Sequence, residues 1–444
     1  MISRIWVFIL GLAVMFASTG FAGDGDPAGV PPGEDPLAAT AGIEDLIAAA
    51  RDRNPSIASA RAAWKASIEN VRIVSALPDP QLTLTWFPAP IETRLGPQEW
   101  TAMVSQQIPF PGKLSAKEEI AAIGAVMARL RTDQTFREIV AEVKTAFYEL
   151  AYIRKAREIA GKNLEILNRF QGMAESAYAQ DRTLFVDVVK AQSQAGQVRY
   201  DLLLLEDLEE TQITALNGLL NREPRAPIGR LSGGTAFPAL PSLDWLFQTA
   251  EERQEAIASA GQAVRKAERE NDLARYSYYP DFRIGATWSG IGEPNVTTPP
   301  PDAGDDAFGI QFGISIPLWS GKNRGRVLQS QSVVREKRTL RDKIVNETRT
   351  NIRTLYYKAR NSFRQTELYE RDLLPQALRS LEVSETWFRE GEGPFSDVLE
   401  SQSAVYNFQL SLARAQSDIG KNMAQLERLI GAPISGPDNK GGAQ

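Results

Sequence analysis

Apolar positions change their period several times along the chain, and the order of changes recurs. Ile43, Leu46, Ile47, Ala50, Ile57, Ala60 and Trp64 recur at helical spacing, which predicts a helix over 42–76. Asn54-Pro55 marks either a helix start or a kink within it. In Gln81-Leu82-Thr83-Leu84-Thr85-Trp86 the period falls to two. A loop with Pro88, Pro90, Gly96 and Pro97 follows, then a second alternation through Ala102, Val104, Gln106 and Ile108. Two alternating runs about a turn-rich loop predict a hairpin over about 81–108. The same shape returns over about 281–316. Phe282, Ile284, Ala286 and Trp288 form one strand face, and Phe308, Ile310, Phe312, Ile314 and Ile316 form that of its partner.

Helix follows each hairpin. Between Gly112 and Glu223 there is no proline, and Phe136, Val140, Val143, Phe147 and Leu150 step by four and three. A single helix from Ser115 to about Gln171 would be roughly 85 Å long. Val398, Val405, Leu412, Ile419 and Leu426 are spaced by seven. Val188, Ala195, Leu202 and Leu216 hold the equivalent register in the first half, with Glu209 breaking it. Such heptads need partner helices.

The two halves also match in letters. Ile57-Ala58-Ser59-Ala60 reappears 200 positions later as Ile257-Ala258-Ser259-Ala260. Pro78-Asp79 matches Pro280-Asp281, and Ile108 to Lys113 matches Ile316 to Lys322 with one residue inserted. Phe185-Val186-Asp187-Val188 matches Phe395-Ser396-Asp397-Val398. A period near 200 is too long for a solenoid unit and reads as duplication of a whole folding unit. The expected organisation is a first repeat over 42–221, a connector over 222–241 and a second repeat over 242–433. The long helices fall at about 113–221 and about 322–431. A flexible tail covers 434–444, and a disordered Gly/Pro/Asp-rich segment covers 23–41. Residues 1–22, with Arg4 before an apolar run and small residues up to Ala22, read as a secretory signal peptide.

Composition narrows the chemistry. The chain has neither cysteine nor histidine, so disulfides, an N-terminal Cys lipid anchor and the commonest general base are all missing. Its 50 basic and 55 acidic residues give a net charge of −5, which argues against a nucleic-acid partner. No nucleophile motif, phosphate loop or metal cluster stands out, so no enzyme, cofactor or metal site is expected. Alternation alone fits either a soluble hairpin with one buried face or a membrane strand pair with a lipid face. Four strands cannot close a barrel, and open edges are not tolerated in lipid. A membrane reading therefore requires several chains to share one barrel. The competing reading is a soluble periplasmic coiled-coil adaptor of an export complex.

The duplicated order of helix, hairpin and long helix pair resembles the TolC-like outer-membrane efflux factors. So do Ser105 to Lys113 (SQQIPFPGK), Ile314 to Lys322 (ISIPLWSGK) and Phe388 to Gln416, the turn between the last two long helices. The likeness spans about residues 42–434. It implies a mainly α fold with transmembrane β: a homotrimer with a twelve-stranded outer-membrane β-barrel and a twelve-helix periplasmic α-barrel. It also implies a Gram-negative outer-membrane location with a periplasmic extension, contact with outer-membrane lipid, and work as the exit channel of a tripartite efflux system. The partners would be a periplasmic adaptor (membrane fusion protein) and an inner-membrane pump of the RND type. Pro78 to Pro80 and Ile108 to Lys113 are most similar to members serving heavy-metal export pumps.

The resemblance assigns roles residue by residue. Asp397 and Glu400 match the acidic positions that line the periplasmic constriction; in a trimer they would form two carboxylate rings, which attract cations. The turns holding Gln180, Asp181 and Arg182, and Gly391, Glu392 and Gly393, match the adaptor-docking tips. The family usually has Tyr where this chain has Phe388, so a hydroxyl able to latch the closed state is missing there, while Tyr178 keeps it in the first half. Pro375 interrupts the second-half helix without a first-half counterpart and is a candidate hinge.

Overall fold

The computed structural model describes residues 36–234 and 237–434. Helix α1 (Pro36–Ala39) leads into strand β1 (Thr40–Gly42). Then come α2 (Ile43–Arg53), α3 (Pro55–Ser75), β2 (Gln81–Thr93), β3 (Gly96–Ile108), α4 (Lys113–Tyr178) and α5 (Phe185–Leu219). After β4 (Arg230–Ser232) the order recurs: α6 (Leu243–Arg253), α7 (Glu255–Arg275), β5 (Asp281–Ile291), β6 (Ala307–Ser315), α8 (Ser320–Leu368), α9 (Leu374–Glu390) and α10 (Phe395–Ile430).

Asn54 resolves the choice between start and kink. It ends α2 and caps α3, its Oδ1 accepting from the Ser56 N–H at 2.8 Å. Its amide also donates to the Leu219 carbonyl at 2.8 Å, which ties the short helices to the end of α5. Gln254 holds the same position between α6 and α7, and its Oε1 accepts from the Ile257 N–H at 2.8 Å. Leu46 and Leu246, Ala50 and Ala250, and Ile57 and Ile257 are buried in equivalent places.

The strands form one antiparallel sheet in the order β2-β3-β5-β6, so the two hairpins are joined through β3 and β5. Its faces are sorted by chemistry. Leu82, Val104, Ala286 and Ile310 lie in one cross-strand row and Leu84, Ala102, Trp288 and Phe308 in the next. On the other face Gln81, Ser105, Gly285 and Gln311 share a row, as do Thr85, Thr101, Ser289 and Ala307. No other described element covers the apolar face: Leu84 is 71% exposed and Phe312 80%. Aromatics gather at both ends of the sheet. Trp100 and Trp288 lie 5.8 Å apart near the loops, and Phe110 stacks on Tyr279 at 4.6 Å beside the helices. Trp288 lies nine positions beyond Tyr279. At about 3.4 Å each and a tilt near 40°, the band between them is roughly 23 Å tall, the height of a barrel's lipid belt. Among the described residues no helix is long and apolar enough to cross a membrane.

Helix α4 runs 66 residues without interruption, about 100 Å. Val143, Phe147 and Leu150 on its seam are buried, and Ile352 and Ala359 are buried at corresponding points of α8. The heptad break at Glu209 is an ion pair: its carboxylate meets Arg154 at 2.8 Å and Arg157 at 3.1 Å, fastening α5 to α4.

Three expectations change. Residues 36–41, expected to be disordered, form α1 and the start of β1, which pairs in parallel with β4 of the connector. The Gly229 N–H donates to the Leu37 carbonyl at 2.8 Å, so the connector supplies the partner that composition could not reveal. Strand β2 continues through Pro88 and Pro90 to Thr93. The ladder to β3 lapses between Trp86 and Ile91, where missing N–H groups cost nothing on an edge strand. Of the tail over 434–444, Ile434 is buried and its N–H donates to Glu427 Oε1 at 3.1 Å. The remainder of the tail, the signal peptide over 1–22 and residues 23–35 lie outside the described residues.

Candidate pore constriction and docking turns

The turn between α9 and α10 builds the acidic site. Helix α9 ends at Glu390, and Gly391 follows with φ +79°, a left-handed conformation that glycine adopts without strain. The Glu392 and Gly393 N–H groups return to the Trp387 carbonyl at 2.9 and 3.2 Å. Helix α10 then starts at Phe395, which is buried against Phe388 and Phe170, with centroids 5.0 and 6.4 Å away. Burial of Phe395, Val398 and Leu399 turns Asp397 and Glu400 outward, one helical turn apart and both exposed. Among the described residues the Asp397 carboxylate meets only Ser396 Oγ, 3.5 Å away, and the Glu400 carboxylate has no partner.

The first-half turn is built from the same parts with a different outcome. Asp181 takes the left-handed position at φ +57°, and the Arg182 N–H donates to the Ala177 carbonyl at 2.9 Å. Asp187, the counterpart of Asp397, is 9% exposed and accepts from Thr183 Oγ1 at 2.9 Å. Lys190 occupies the place of Glu400 and lies 3.8 Å from Asp187. At these two helical positions, therefore, the second-half turn presents two uncompensated carboxylates where the first-half turn has a bonded Asp187 and a Lys190 among the described residues. The geometry brings Gln180, Asp181 and Arg182 beside Gly391, Glu392 and Gly393: Arg182 Nη2 donates to the Arg389 carbonyl at 3.0 Å. That link between the turns was not anticipated from sequence.

Phe388 and Tyr178 occupy equivalent positions over Phe395 and Phe185, the latter pair 5.6 Å apart. Phe388 is buried and Tyr178 exposed, so the ring that lacks a hydroxyl is the one with apolar surroundings.

Pro375 lies in the first turn of α9, directly after a π-helical turn over Tyr369–Leu373. The Leu374 N–H reaches back five residues to the Tyr369 carbonyl. The spacing explains the turn. Lys113 and Tyr178 are 65 positions apart, whereas their counterparts Lys322 and Phe388 are 66 apart. One additional residue in a long helix is accommodated as a π-bulge. The added residue is legible in the sequence as this difference in count, beside the more conspicuous proline.

Farther up, an ionic cluster couples α4 to α10. Glu149 accepts from Arg414 Nη1 and Lys421 Nζ, each at 2.6 Å, and Lys421 also meets Asp418 at 2.7 Å. Burial pushes the Glu149 carboxyl up, and the bonds from Lys421 and Arg414 outweigh it, so its pKa lies below the ordinary value.

A family model described as outer membrane efflux protein matches residues 46–222 and again 246–432. Among curated proteins, the pyoverdine export outer membrane protein OpmQ of Pseudomonas aeruginosa is 22% identical over 340 residues, 70% of this chain and 68% of that one. Among solved structures, the outer membrane protein VceC of Vibrio cholerae superposes with a TM-score of 0.72 at 20% identity, covering 88% of this chain and 96% of that chain. CusC superposes at 0.74 with 15% identity, covering 88% and 92%. The open state of the Neisseria gonorrhoeae MtrE outer membrane channel gives 0.71 with 15% identity, covering 88% and 89%. The chain belongs to the outer membrane efflux protein family.

Proposed function

We propose that three copies of this chain close a twelve-stranded barrel in the outer membrane over a twelve-helix periplasmic tube. The assembly is the exit duct of a tripartite efflux system. In this reading residues 42–221 and 242–433 are two structural repeats, and the signal peptide over 1–22 sends the chain to the periplasm. The observation that carries it is the four-stranded sheet: one exposed apolar face, one polar face, two open edges, and a helix of about 100 Å running from it. In lipid such a sheet must find partners at both edges. Exposed apolar residues along α5, among them Leu204 and Leu208, similarly await a neighbour.

Asp397 and Glu400 would then repeat around the axis as two carboxylate rings at the periplasmic end and select for cations. The paired tips at Gln180 to Arg182 and Gly391 to Gly393 are the surface offered to a periplasmic adaptor, which connects the duct to an RND-type inner-membrane pump. Pro375 with its π turn is the hinge on which the second helix pair swings. The heavy-metal likeness of Pro78 to Pro80 and Ile108 to Lys113 is the chain's own pointer to cargo.

Single-channel conductance in a planar bilayer tests this. The wild type should give a small, cation-selective conductance that grows and loses selectivity in Asp397→Ala/Glu400→Ala. A pore indifferent to the double change would move the constriction elsewhere. Folded oligomer that forms no pore would sink the channel reading.

A further inference from the structure

Within one chain, the first repeat meets the second at a defined junction. Lys113 Nζ lies 2.7 Å from Asp281 Oδ1, and the Phe110 N–H donates to the same oxygen at 2.8 Å. Both charged side chains are largely covered, at 15% and 24% exposure. Phe110 stacks on Tyr279 just above. Above the clamp, β3 and β5 pair with Ser105 opposite Gly285 and Gln107 opposite Arg283.

The same residue types stand at the two outer edges of the sheet, unused. Lys322 follows β6 in the motif matching that of Lys113, and Asp79 precedes β2 in the motif matching that of Asp281. Both are exposed and neither has a partner among the described residues. Leu318 and Leu77, the counterparts of Phe110 and Tyr279, are exposed too.

We propose that Lys322 forms an ion pair with Asp79 of a second copy of this chain, and that β6 of one copy pairs with β2 of the next in the register of β3 and β5. The proposal rests on the shared-barrel reading and adds its register and its clamp. Transferring the internal pairs through the repeat offsets sets Ser315 opposite Gln81 and Gly313 opposite Thr83. An independent feature agrees. Gly313 and Thr83 both belong to the polar face, while Phe312 and Leu84, the next pair, both belong to the apolar face. A slip of one residue would set Phe312 opposite Thr83 and mix the faces. The strand directions also fit: four antiparallel strands leave β6 and a following β2 antiparallel.

The chain has no cysteine, so introduced pairs are unique. Thr83→Cys combined with Gly313→Cys is the test. A Cβ at Gly313 would lie 3.4 Å from that of Arg283, an ordinary contact. Inside one chain the two positions are three strand spacings apart laterally and four residues apart along the strand, about 20 Å, too far for a disulfide. Oxidation of the full chain in outer membranes should give a covalent ladder ending at three chains, and Leu82→Cys with Gly313→Cys should not. Lys322→Glu should lower the temperature at which the detergent-resistant oligomer dissociates, and adding Asp79→Lys should raise it again. Linkage by the slipped pair, or a conducting oligomer that the designated pair never links, overturns the register and leaves the channel standing. A double charge swap no more heat-resistant than the single change overturns the clamp. A ladder ending at another number keeps the register and removes the trimer.

Discussion

Arg182 and Arg389 sit on different turns, and the guanidinium of the first donates to the backbone carbonyl of the second at 3.0 Å. That carbonyl belongs to the last turn of α9, where no helical N–H remains to meet it. A cation at a helix C-terminus is favoured by the dipole as well as by the hydrogen bond. Because Arg182 is exposed, the link stabilises by only about 0.5–1 kcal/mol. It adds a polar link between two tips that already share the apolar cluster of Ala177, Phe388 and Phe395. Arg182→Ala should speed amide hydrogen exchange over residues 385–393 while leaving the centre of α4 unchanged. Equal exchange in both proteins would mean the tips are held by packing at Phe388 and Phe395 instead.

The Glu149 cluster makes the α4–α10 contact sensitive to acid. Its folded pKa lies below the ordinary carboxylate value of 4.5, so the carboxylate favours the folded state above that value. This contribution is lost as pH falls through 4.5 towards the folded pKa. Three-quarters covered and bonded to two cations, the group should contribute about 1 kcal/mol at neutral pH. Glu149→Gln should lower thermal stability at pH 7 and shrink the difference from wild type near pH 3. A deficit that stays the same at both pH values would assign it to lost packing.

Much of this architecture was legible because it depends on period. Alternation over Phe308 to Ile316 gave a strand, and steps of three and four from Phe136 to Leu150 gave a helix, since each reflects one face turned to an apolar environment. Asp397 and Glu400 were found through motif likeness and lie exposed on one turn of α10. What stayed hidden depends on partners distant in sequence. The parallel pairing of Thr40–Gly42 with Arg230–Ser232 joins segments 190 residues apart, and neither alternates. Asp187 looked equivalent to Asp397, and its partners Thr183 and Lys190, four and three residues away, are the exception that local sequence already held. Lys113 and Asp281 appeared as repeat markers, and their contact across 168 positions appears only when the hairpins join.

The π turn over Tyr369–Leu373 makes a prediction independent of Pro375. If it stores one inserted residue, deleting Arg371 should restore an unbroken α-helix from Ser320 to Glu390 with the downstream register intact. Pro375→Ala, by contrast, should leave the π turn in place, because the residue count is unchanged. As a hinge, the turn should matter for opening: the deletion should hold the conductance of the Asp397→Ala/Glu400→Ala background near the wild-type level. Full opening in that triple variant would show that the second helix pair moves without its π turn.

Gln402 and Asn163 carry the last prediction. They face each other in the interior between α10 and α4, at 3% and 5% exposure, with Gln402 Nε2 donating to Asn163 Oδ1 at 2.6 Å. Gln402 Oε1 is buried and has no partner among the described residues. The matching Gln192 is exposed and reaches Glu175 only at 3.5 Å, so the buried pair is confined to one of the two seams. Stability does not explain it, since an apolar pair of similar size avoids an orphaned oxygen. A single buried polar contact instead penalises any sliding of one helix along the other, because a shifted register leaves both amides unpaired. Gln402→Leu or Asn163→Leu alone should each cost about 1–3 kcal/mol, the penalty of stranding the remaining amide. The double variant should recover to near wild-type stability in denaturant unfolding of the detergent-solubilised protein. It should also exchange its α10 amides faster than wild type, since sliding is no longer penalised. Additive losses in the double variant would show that each amide is held by its own surroundings, and the register argument would fail.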